Sequence, residues 1–598
     1  MNDVIHKTLR DAPAMRWLVM LLISGLMFST YYFNDFYSGL KNLMETEFGF
    51  TSEQFGRIIG LTTFANVFGM IIVGGIILDR YGVRLSGYMF GGLAALGGLI
   101  SALTASGYIF TDNPLIGFIL GRVLFGIGLE VVCVIVMRTL VKWFKGYEIA
   151  LAMGINMGFG RLGSALAIAI SLDIAGGYVA PAVTFAATLI GITMVMFVIY
   201  TFFDYKIDKQ DKRIAELKAA SQPQSAEKPK CDSSDDFKFS DLVKLARNNT
   251  FVYITLLCVA FYSAVFPFIQ YAPDLLVNKF GFSYFLPYDA SVILFGSKAL
   301  GNASVYVVVF LFALGVTLIP NNLKDNMHKN LARIILIAIF GIIVYFNREL
   351  ISAWLQNGPK TAALIPLGTI IFTPIFGSIV DKRGKAASLM MLGALLLIFA
   401  HLSLALSNYP LFAYIGLLCL GIAFSLVPAA MWPSVAKIVP ENRLGTAYAS
   451  MFTVQNWGLG LFFWGIGALL ITIPINADTK REIESVRIQL EVTDVRTVEQ
   501  VTAYLYEATD KIVALQPEAA KYLEAFKTKL AATGSLSSGE ISEMVKLKQA
   551  NGLLNFYDYT IPVLLLVLCG LISIFLAYKL KRADKRQGFG LELPSKKN

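Results

Sequence analysis

The chain has 598 residues, of which 56% are hydrophobic and only 15% charged, with a mean hydropathy of +0.63. A soluble multidomain protein of that length needs far more polar surface, so the composition excludes that class and indicates an all-α polytopic membrane protein embedded in a lipid bilayer. The formal net charge of +10 does not mark a nucleic-acid partner, because Lys and Arg fall mainly in short loops beside apolar spans, as the positive-inside rule requires.

In chain order, apolar stretches of membrane-spanning length run over about 17–40, 55–78, 87–108, 115–141, 148–173 and 178–203, separated by loops too short to hold domains. The first is too long for a signal-peptide core and is expected to be a retained helix. Residues 1–203 therefore form an N-terminal six-helix bundle. Its even-numbered turns carry Arg80 and Arg84, then Lys142 and Lys145, whereas the 41–54 turn holds Glu45, Glu47 and Glu53. Lys7, Arg10 and Arg16 put the amino terminus on the cytoplasmic side.

Residues 204–249 are densely charged with nearly balanced sign, and read as a cytoplasmic tether with room for a short amphipathic helix around 211–219. From 250 to 598, spans near 250–272, 361–380, 386–407, 409–435, 443–472 and 559–580 make a second six-helix bundle. An apolar pair at about 302–320 and 331–347 is expected to add a transmembrane hairpin, for about fourteen helices in all, with Lys324 and Lys329 in its cytoplasmic turn; a re-entrant pair is the competing reading. Residues 473–558 have helical character and fall outside the membrane by the same count. Lys581, Arg582, Lys585 and Arg586 return the carboxyl terminus to the cytoplasm of a multi-pass protein of the cell membrane.

Four of the five cysteines, Cys133, Cys258, Cys419 and Cys569, lie within apolar spans and Cys231 lies in the tether, so neither a disulfide framework nor metal-ligand spacing is present. No nucleophile motif and no phosphate-binding loop occur. An enzyme, a cofactor and ATP-driven transport are accordingly not expected.

The informative charges are inside the membrane. Glu130 lies 13 residues before Trp143 and Arg161 lies 13 residues after Glu148, on two helices joined by a short basic loop. At ~1.5 Å rise per residue both sit about 19 Å from that loop, near the bilayer centre. Charges at that depth face a partner or a water-filled cavity, so an acid and a base at one level suggest a zwitterion site. The plain alternative is an ion pair that only holds two helices together. His401, the only histidine within an apolar core span, reads as a hydrogen-bonded interior residue or, alternatively, as a proton carrier.

A repeat links the two halves. Gly75-Ile-Ile-Leu-Asp79-Arg80-Tyr-Gly82-Val-Arg84 follows the second span, and Gly377-Ser-Ile-Val-Asp381-Lys382-Arg383-Gly384-Lys385 follows its counterpart. Glycine permits close helix approach and a sharp turn, and a repeated aspartate can cap a helix or pair across the bundle in one conformation and not in another. Two copies at corresponding places resemble the signature loop of the major facilitator superfamily, as does Gly121-Arg122-Val-Leu-Phe-Gly126-Ile-Gly128. Arg122 lies nearer the outer side and reads as structural. The stretches GRVLFGIGLE, WFKGYE, GRLGS, AVFPFIQYAPDLLVNKFGFS and MWPSVAKIVPENRLGTAYASMFTVQNWGLG are similar to the branch containing the lysosomal dipeptide transporters. The similarity omits residues 284–358 and 473–558, and the first helix matches through Tyr31, Tyr32 and Asn34.

That resemblance implies a fold of two six-helix bundles and facilitated uniport of dipeptides, with Glu130 meeting the substrate amino group and Arg161 its carboxylate. Tyr32, Phe261, Tyr262, Gln270, Trp432, Gln455 and Asn456 are further candidate cavity residues, each suited to a polar ligand and each equally able to pack a core. Two other functions compete: proton-coupled symport or antiport of small organic anions or drugs, with Glu130 as the proton site, and a receptor or scaffold that binds a protein through its outer segment.

Overall fold

The computed structural model describes residues 8–144, 147–221, 239–286, 290–323, 325–440, 444–472, 528, 532 and 557–594. The segment expected over 473–558 falls outside that set apart from 528, 532 and its last two residues. Among the described residues, twelve helices are long and apolar enough to cross a membrane, or thirteen when one bent pair counts as a single span.

Helices α1 (Pro13–Asp35) and α2 (Tyr37–Phe48) follow one another across Phe36, whose backbone stays helical, and so form one long span. The second span is broken. Helices α3 (Ser52–Gly60) and α4 (Phe64–Val67) are set at 55° to α5 (Met70–Ala105), with Gly69 at φ +79° in the break. An interrupted helix leaves unpaired backbone groups, and here the Val67 carbonyl accepts from the Trp457 indole N–H at 2.8 Å. Helix α5 is itself two helices meeting at Gly82, whose φ of +77° only glycine adopts without strain. Then come α6 (Pro114–Phe144), α7 (Ile149–Ala175) and α8 (Val179–Ser221).

Helix α8 extends well past the apolar span read from the sequence, into the stretch read there as a tether. Asp204, Asp208 and Asp211 recur along one face, and that face finds cations: Lys142 lies 2.6 Å from both Asp204 and Asp208, Arg84 lies 2.9 Å from Asp208, and Arg10 pairs with Asp211. A charge pattern that is uninformative in one dimension thus stabilises a helix in three.

The second half runs through α9 (Phe239–Ala246), α10 (Asn249–Phe280), α11 (Lys298–Asn322), α12 (Asn326–Phe346), α13 (Arg348–Leu355), α14 (Gly358–Ala362), α15 (Leu364–Arg383), α16 (Ala386–Leu406), α17 (Pro410–Ile438) and α18 (Leu444–Leu469). A two-residue ribbon follows, β1 (Ile471–Thr472) antiparallel to β2 (Tyr557–Asp558), and then α19 (Thr560–Gln587). Helices α11 and α12 are each of spanning length and apolarity. Helix α11 packs on α7 from one half and α15 from the other, with Phe310 edge-on to Phe159 at 5.5 Å. Helix α12 pairs with α11 and buries none of its apolar window inside the protein.

The two halves are locked together at the end opposite the signature loops. Lys41, fully buried, lies 2.8 Å from Asp274 and 3.0 Å from Glu45. Tyr557 donates to Glu45 at 2.9 Å, and Tyr559 donates to Asp274. Lys360 lies 2.5 Å from Asp173, whose other partner is the Asn302 amide at 2.8 Å. Helix α3 meets α18 backbone to backbone: a Cβ on Gly56 would stand 2.8 Å from the Phe463 carbonyl, and one on Gly467 only 2.4 Å from that of Ser52.

The signature loops at the other end each tie to their own half. Arg84 pairs with α8 as described. In the second copy, Gly384 adopts φ +67° and its amide-side space is filled by the tail, the Lys385 N–H donating to the Glu592 carbonyl at 3.0 Å and Glu592 accepting from Ser388 at 2.7 Å. Gly75 and Gly377 meet nothing within 4 Å of a built Cβ, so the close approach expected of the motif glycines resides at Gly384 and the sharp turn at Gly82 and Gly384. Asp381, Lys382 and Lys385 are exposed, and Arg80 lies 5.5 Å over the Tyr81 ring. The Asp79 side chain lies outside the described set, so the expected aspartate latch is described at neither copy.

Candidate functional site

Helices α6 and α7 bring Glu130 and Arg161 to the seam between the halves. Neither is fully buried, although both sit in the interior of long apolar helices. Among the described residues the two form no ion pair with each other. Instead each reaches across. Glu130 accepts a hydrogen bond from the Asn456 amide on α18, and the Arg161 guanidinium stands 4.4 Å over the Phe424 ring on α17. A guanidinium is bound well by an aromatic face, and its N–H fork is suited to an anion.

Behind Arg161 lies an aromatic wall. Trp432 donates its indole N–H to the Tyr262 hydroxyl at 3.0 Å and stacks on Phe452 at 5.0 Å. Tyr262 meets Phe424 edge-on at 6.4 Å and interacts electrostatically with Arg161. Gln455 accepts from the Cys258 thiol at 3.2 Å. Of the residues read from the sequence, Glu130 and Asn456 are in direct contact, Tyr262 and Trp432 are in contact with each other, and Tyr262 is in electrostatic reach of Arg161; Phe261 lies edge-on to Tyr262 at 5.6 Å.

Tyr32 is placed elsewhere. Its ring packs among Phe28, Phe36 and Phe185 and is 1% exposed, against the side of α7 where Gly163 lets the two helices touch. Its neighbour Tyr31 is the one that interacts with Glu130, Arg161 and Cys133 together. Successive helical residues point about 100° apart, so a Tyr-Tyr pair puts one ring into the cavity and the other into the packing. The family pattern quoted both residues and could not separate them.

Two further titratable residues lie nearby. Asp35 is 6% exposed. It accepts from the Gln270 amide of α10 at 2.7 Å and from Asn34 at 2.8 Å, and it interacts electrostatically with Arg122 and Arg161. Arg122, 1% exposed, donates to the carbonyls of Phe33 and Asn34 at 3.0 and 3.3 Å and faces the Tyr37 ring, which is a structural placement. The signal for Asp35 was available, since it is the only charged residue in the 17–40 span and an intramembrane acid is a candidate by default. His401 is buried with its Nδ1 2.9 Å from the Leu397 carbonyl, edge-on to Phe268, an interior histidine remote from these groups.

Access is one-sided. Gly154 and Met157, on the same face of α7 as Arg161 and toward the signature loops, are exposed, whereas Ala165, Ile168, Ala169 and Leu172 toward the other end are buried. Together with the ion pairs described above, this leaves the two halves in tight contact at the end opposite the signature loops.

The family model described as the Major Facilitator Superfamily matches residues 18–355 and 361–474. Among curated proteins, the lysosomal dipeptide transporter MFSD1 of Homo sapiens is 27% identical over 469 residues, with 76% of this chain and 80% of that protein covered. That of Danio rerio is 25% identical over 461 residues with the same coverage. Among solved structures, a bacterial homologue of the human lysosomal transporter Spinster, in an inward-facing and occupied conformation, superposes with a TM-score of 0.52 at 13% sequence identity, over 96% of this chain and 98% of that one. That last likeness is one of fold.

Proposed function

The chain belongs to the Major Facilitator Superfamily, and from that premise we propose that it carries dipeptides or similar small zwitterions across a membrane by alternating access, as a uniporter. The observation that carries this reading is the pair of ionisable groups, Glu130 and Arg161, each held at the seam by an uncharged partner from the other half, Asn456 and Phe424. Such partners can be exchanged for a ligand without leaving an uncompensated charge on the opposite half. The substrate ammonium goes to Glu130. Its carboxylate takes the guanidinium fork of Arg161, and Tyr31, Tyr262 and Trp432 surround what lies between.

The names of the curated relatives support a dipeptide cargo. The distribution of basic residues supports a topology with both termini and both signature loops on the cytoplasmic side of a cell membrane, which makes the state described here inward-open. In the proposed cycle the outer ion pairs break as the halves rock about the central site and the inner ends close.

The test is thermal stability of the purified full chain against dipeptides, single amino acids and organic anions, with Glu130→Gln and Arg161→Ala alongside. A ligand at 100 times its Kd stabilises the native state by about 2.7 kcal/mol. Stabilisation by dipeptides that disappears in both variants is expected, as is proteoliposome uptake that needs no pH gradient. Stabilisation by anions alone, lost only with Arg161, refutes the zwitterion site in favour of a proton-coupled anion carrier.

A further inference from the structure

The insertion of residues 284–358 begins and ends at one point. The Ser283 N–H donates to the Gln356 carbonyl and the Gly358 N–H to that of Ser283, both at 2.9 Å, and the Asn357 amide donates to the Tyr284 carbonyl at 3.1 Å. Those bonds zip the two ends into a stem that continues α10 on one side and α14 on the other, both in the second half. Within the insertion, Asn302 accepts from the Val292 N–H at 3.0 Å, and Tyr306 donates to the Lys360 carbonyl at 3.2 Å while stacking on Trp354 at 5.6 Å. A segment tied in this way to one half moves with that half when the halves rotate as rigid bodies.

The same segment nevertheless reaches the first half at three places. The buried Tyr284 hydroxyl donates to the Gly39 carbonyl and accepts from the Asn42 N–H, each at 3.0 Å, on the turn of α2 that carries Lys41. The Asn302 amide donates to Asp173 of α7 at 2.8 Å, on the carboxylate oxygen that Lys360 also meets. Further along α11, Phe310 lies so close to α7 that a Cβ on Gly158 would stand 3.1 Å from its ring. The two polar contacts thus sit beside the two ion pairs that join the halves at this end, and the halves cannot part there without breaking them.

We propose that this insertion is a clasp: carried by the second half, it grips the first only while the end opposite the signature loops is closed, and its grip sets how seldom that end opens. The hydroxyl of Tyr284 and the amide of Asn302 bond to the first half in the closed state, and water takes their place when the halves part. Removing either group therefore weakens the closed state and leaves the open one as it was, which shifts the equilibrium between the two. The inference rests on alternating access alone and not on the identity of the cargo.

The experiment uses the full chain in a cysteine-free background carrying Ser38→Cys, a position buried under the closure. It measures alkylation by a membrane-impermeant maleimide applied from the side opposite the signature loops, without cargo. Tyr284→Phe and Asn302→Ala are each expected to raise the labelling rate about tenfold, and the two together more than either alone. Tyr306→Phe removes a hydroxyl whose bond stays within the second half, and is expected to leave the rate within about twofold of the parent. An unchanged rate in both Tyr284→Phe and Asn302→Ala, in protein that melts cooperatively, overturns the proposal. So does an equal acceleration by Tyr306→Phe, which reports a general loosening of the insertion. If one of the two variants does not fold, the other decides by the same criterion; failure of both to fold overturns the proposal, because the insertion is then part of the core of the fold and not a clasp upon it.

Discussion

Lys41 is the residue whose removal should most change the resting conformation. It is fully buried between Asp274, on the opposite half, and Glu45, on its own. Replacing it by Met keeps much of the packing volume but leaves two carboxylates without their cation, and breaking a buried pair from one side costs about 3–5 kcal/mol. That cost falls on the state closed at the end opposite the signature loops, where the two halves touch, and is relieved when they part. At 1.4 kcal/mol per factor of ten, even the lower figure shifts the closed-to-open ratio by about a hundredfold. The assay is alkylation of a single cysteine at Ser38, which is fully buried under the closure, in a cysteine-free background, with a membrane-impermeant maleimide applied from the side opposite the signature loops. Lys41→Met is expected to raise the labelling rate about a hundredfold, and the double variant with Asp274→Asn to recover part of the difference. A rate within about twofold of the parent, in protein that melts normally, refutes the claim that this pair holds the outer end shut.

The same probe reads the pH dependence of the closure. Glu53, in the first turn of α3 and ahead of the apolar stretch that begins near residue 55, is held below the ordinary carboxylate range by the Trp464 indole N–H of the other half first and by Arg57 second. A depressed folded-state value means that this contact contributes above the ordinary carboxylate range and is lost as pH falls through the depressed one; labelling normalised to that of a freely exposed cysteine at each pH, which removes the loss of thiolate, should therefore accelerate in acid, and Glu53→Gln should flatten the acid limb. Gly82→Ala, at φ +77°, should lower thermal stability by about 1–2 kcal/mol, whereas Gly75→Ala, helical with open space around its Cβ, should change it by less than about 0.5 kcal/mol; equal effects would contradict the conformational account of the motif. Asp204→Asn should cost about 2–3 kcal/mol, because Asp204 is 2% exposed and accepts from Lys142 and Tyr200, with dipeptide affinity unchanged in a ligand titration.

Most of the architecture is written in hydropathy and in the repeated signature loop, because a bilayer leaves a chain of this composition few choices other than helices. Less legible is whatever depends on which way a side chain points. The depth of Glu130 and Arg161 follows from counting residues, but the partners that meet them, Asn456 and Phe424, lie some 300 residues away in sequence and only folding names them. Tyr31 and Tyr32 cannot be told apart by composition or by family pattern, since their difference is a rotation about the α1 axis. Asp35 is legible as an acid in an apolar span, but only folding supplies its contact with Gln270 of the other half. The extension of α8 through Ser221 was not readable as helix from its apolar content, because what supports it is three aspartates facing cations from α6, from the signature loop and from the amino-terminal segment.

The contacts across the seam differ in kind along its length, and the difference has a mechanical meaning. At the shut end they join opposite charges, Lys41 with Asp274 and Lys360 with Asp173, so parting them strands charge on both halves. At the centre they join a charge to a neutral group: Glu130 to Asn456, Arg161 to Phe424 and Asp35 to Gln270. The titratable groups in these contacts belong to the first half, and the second half offers amides and rings. Parting the halves there exposes charges that a small zwitterion can satisfy at once, whereas parting them at the end requires water. On the proposed reading, substrate at the centre compensates for the loss of the central contacts but not for the pairs at the shut end, so those pairs are the barrier to the swing and the central groups the means by which cargo lowers it.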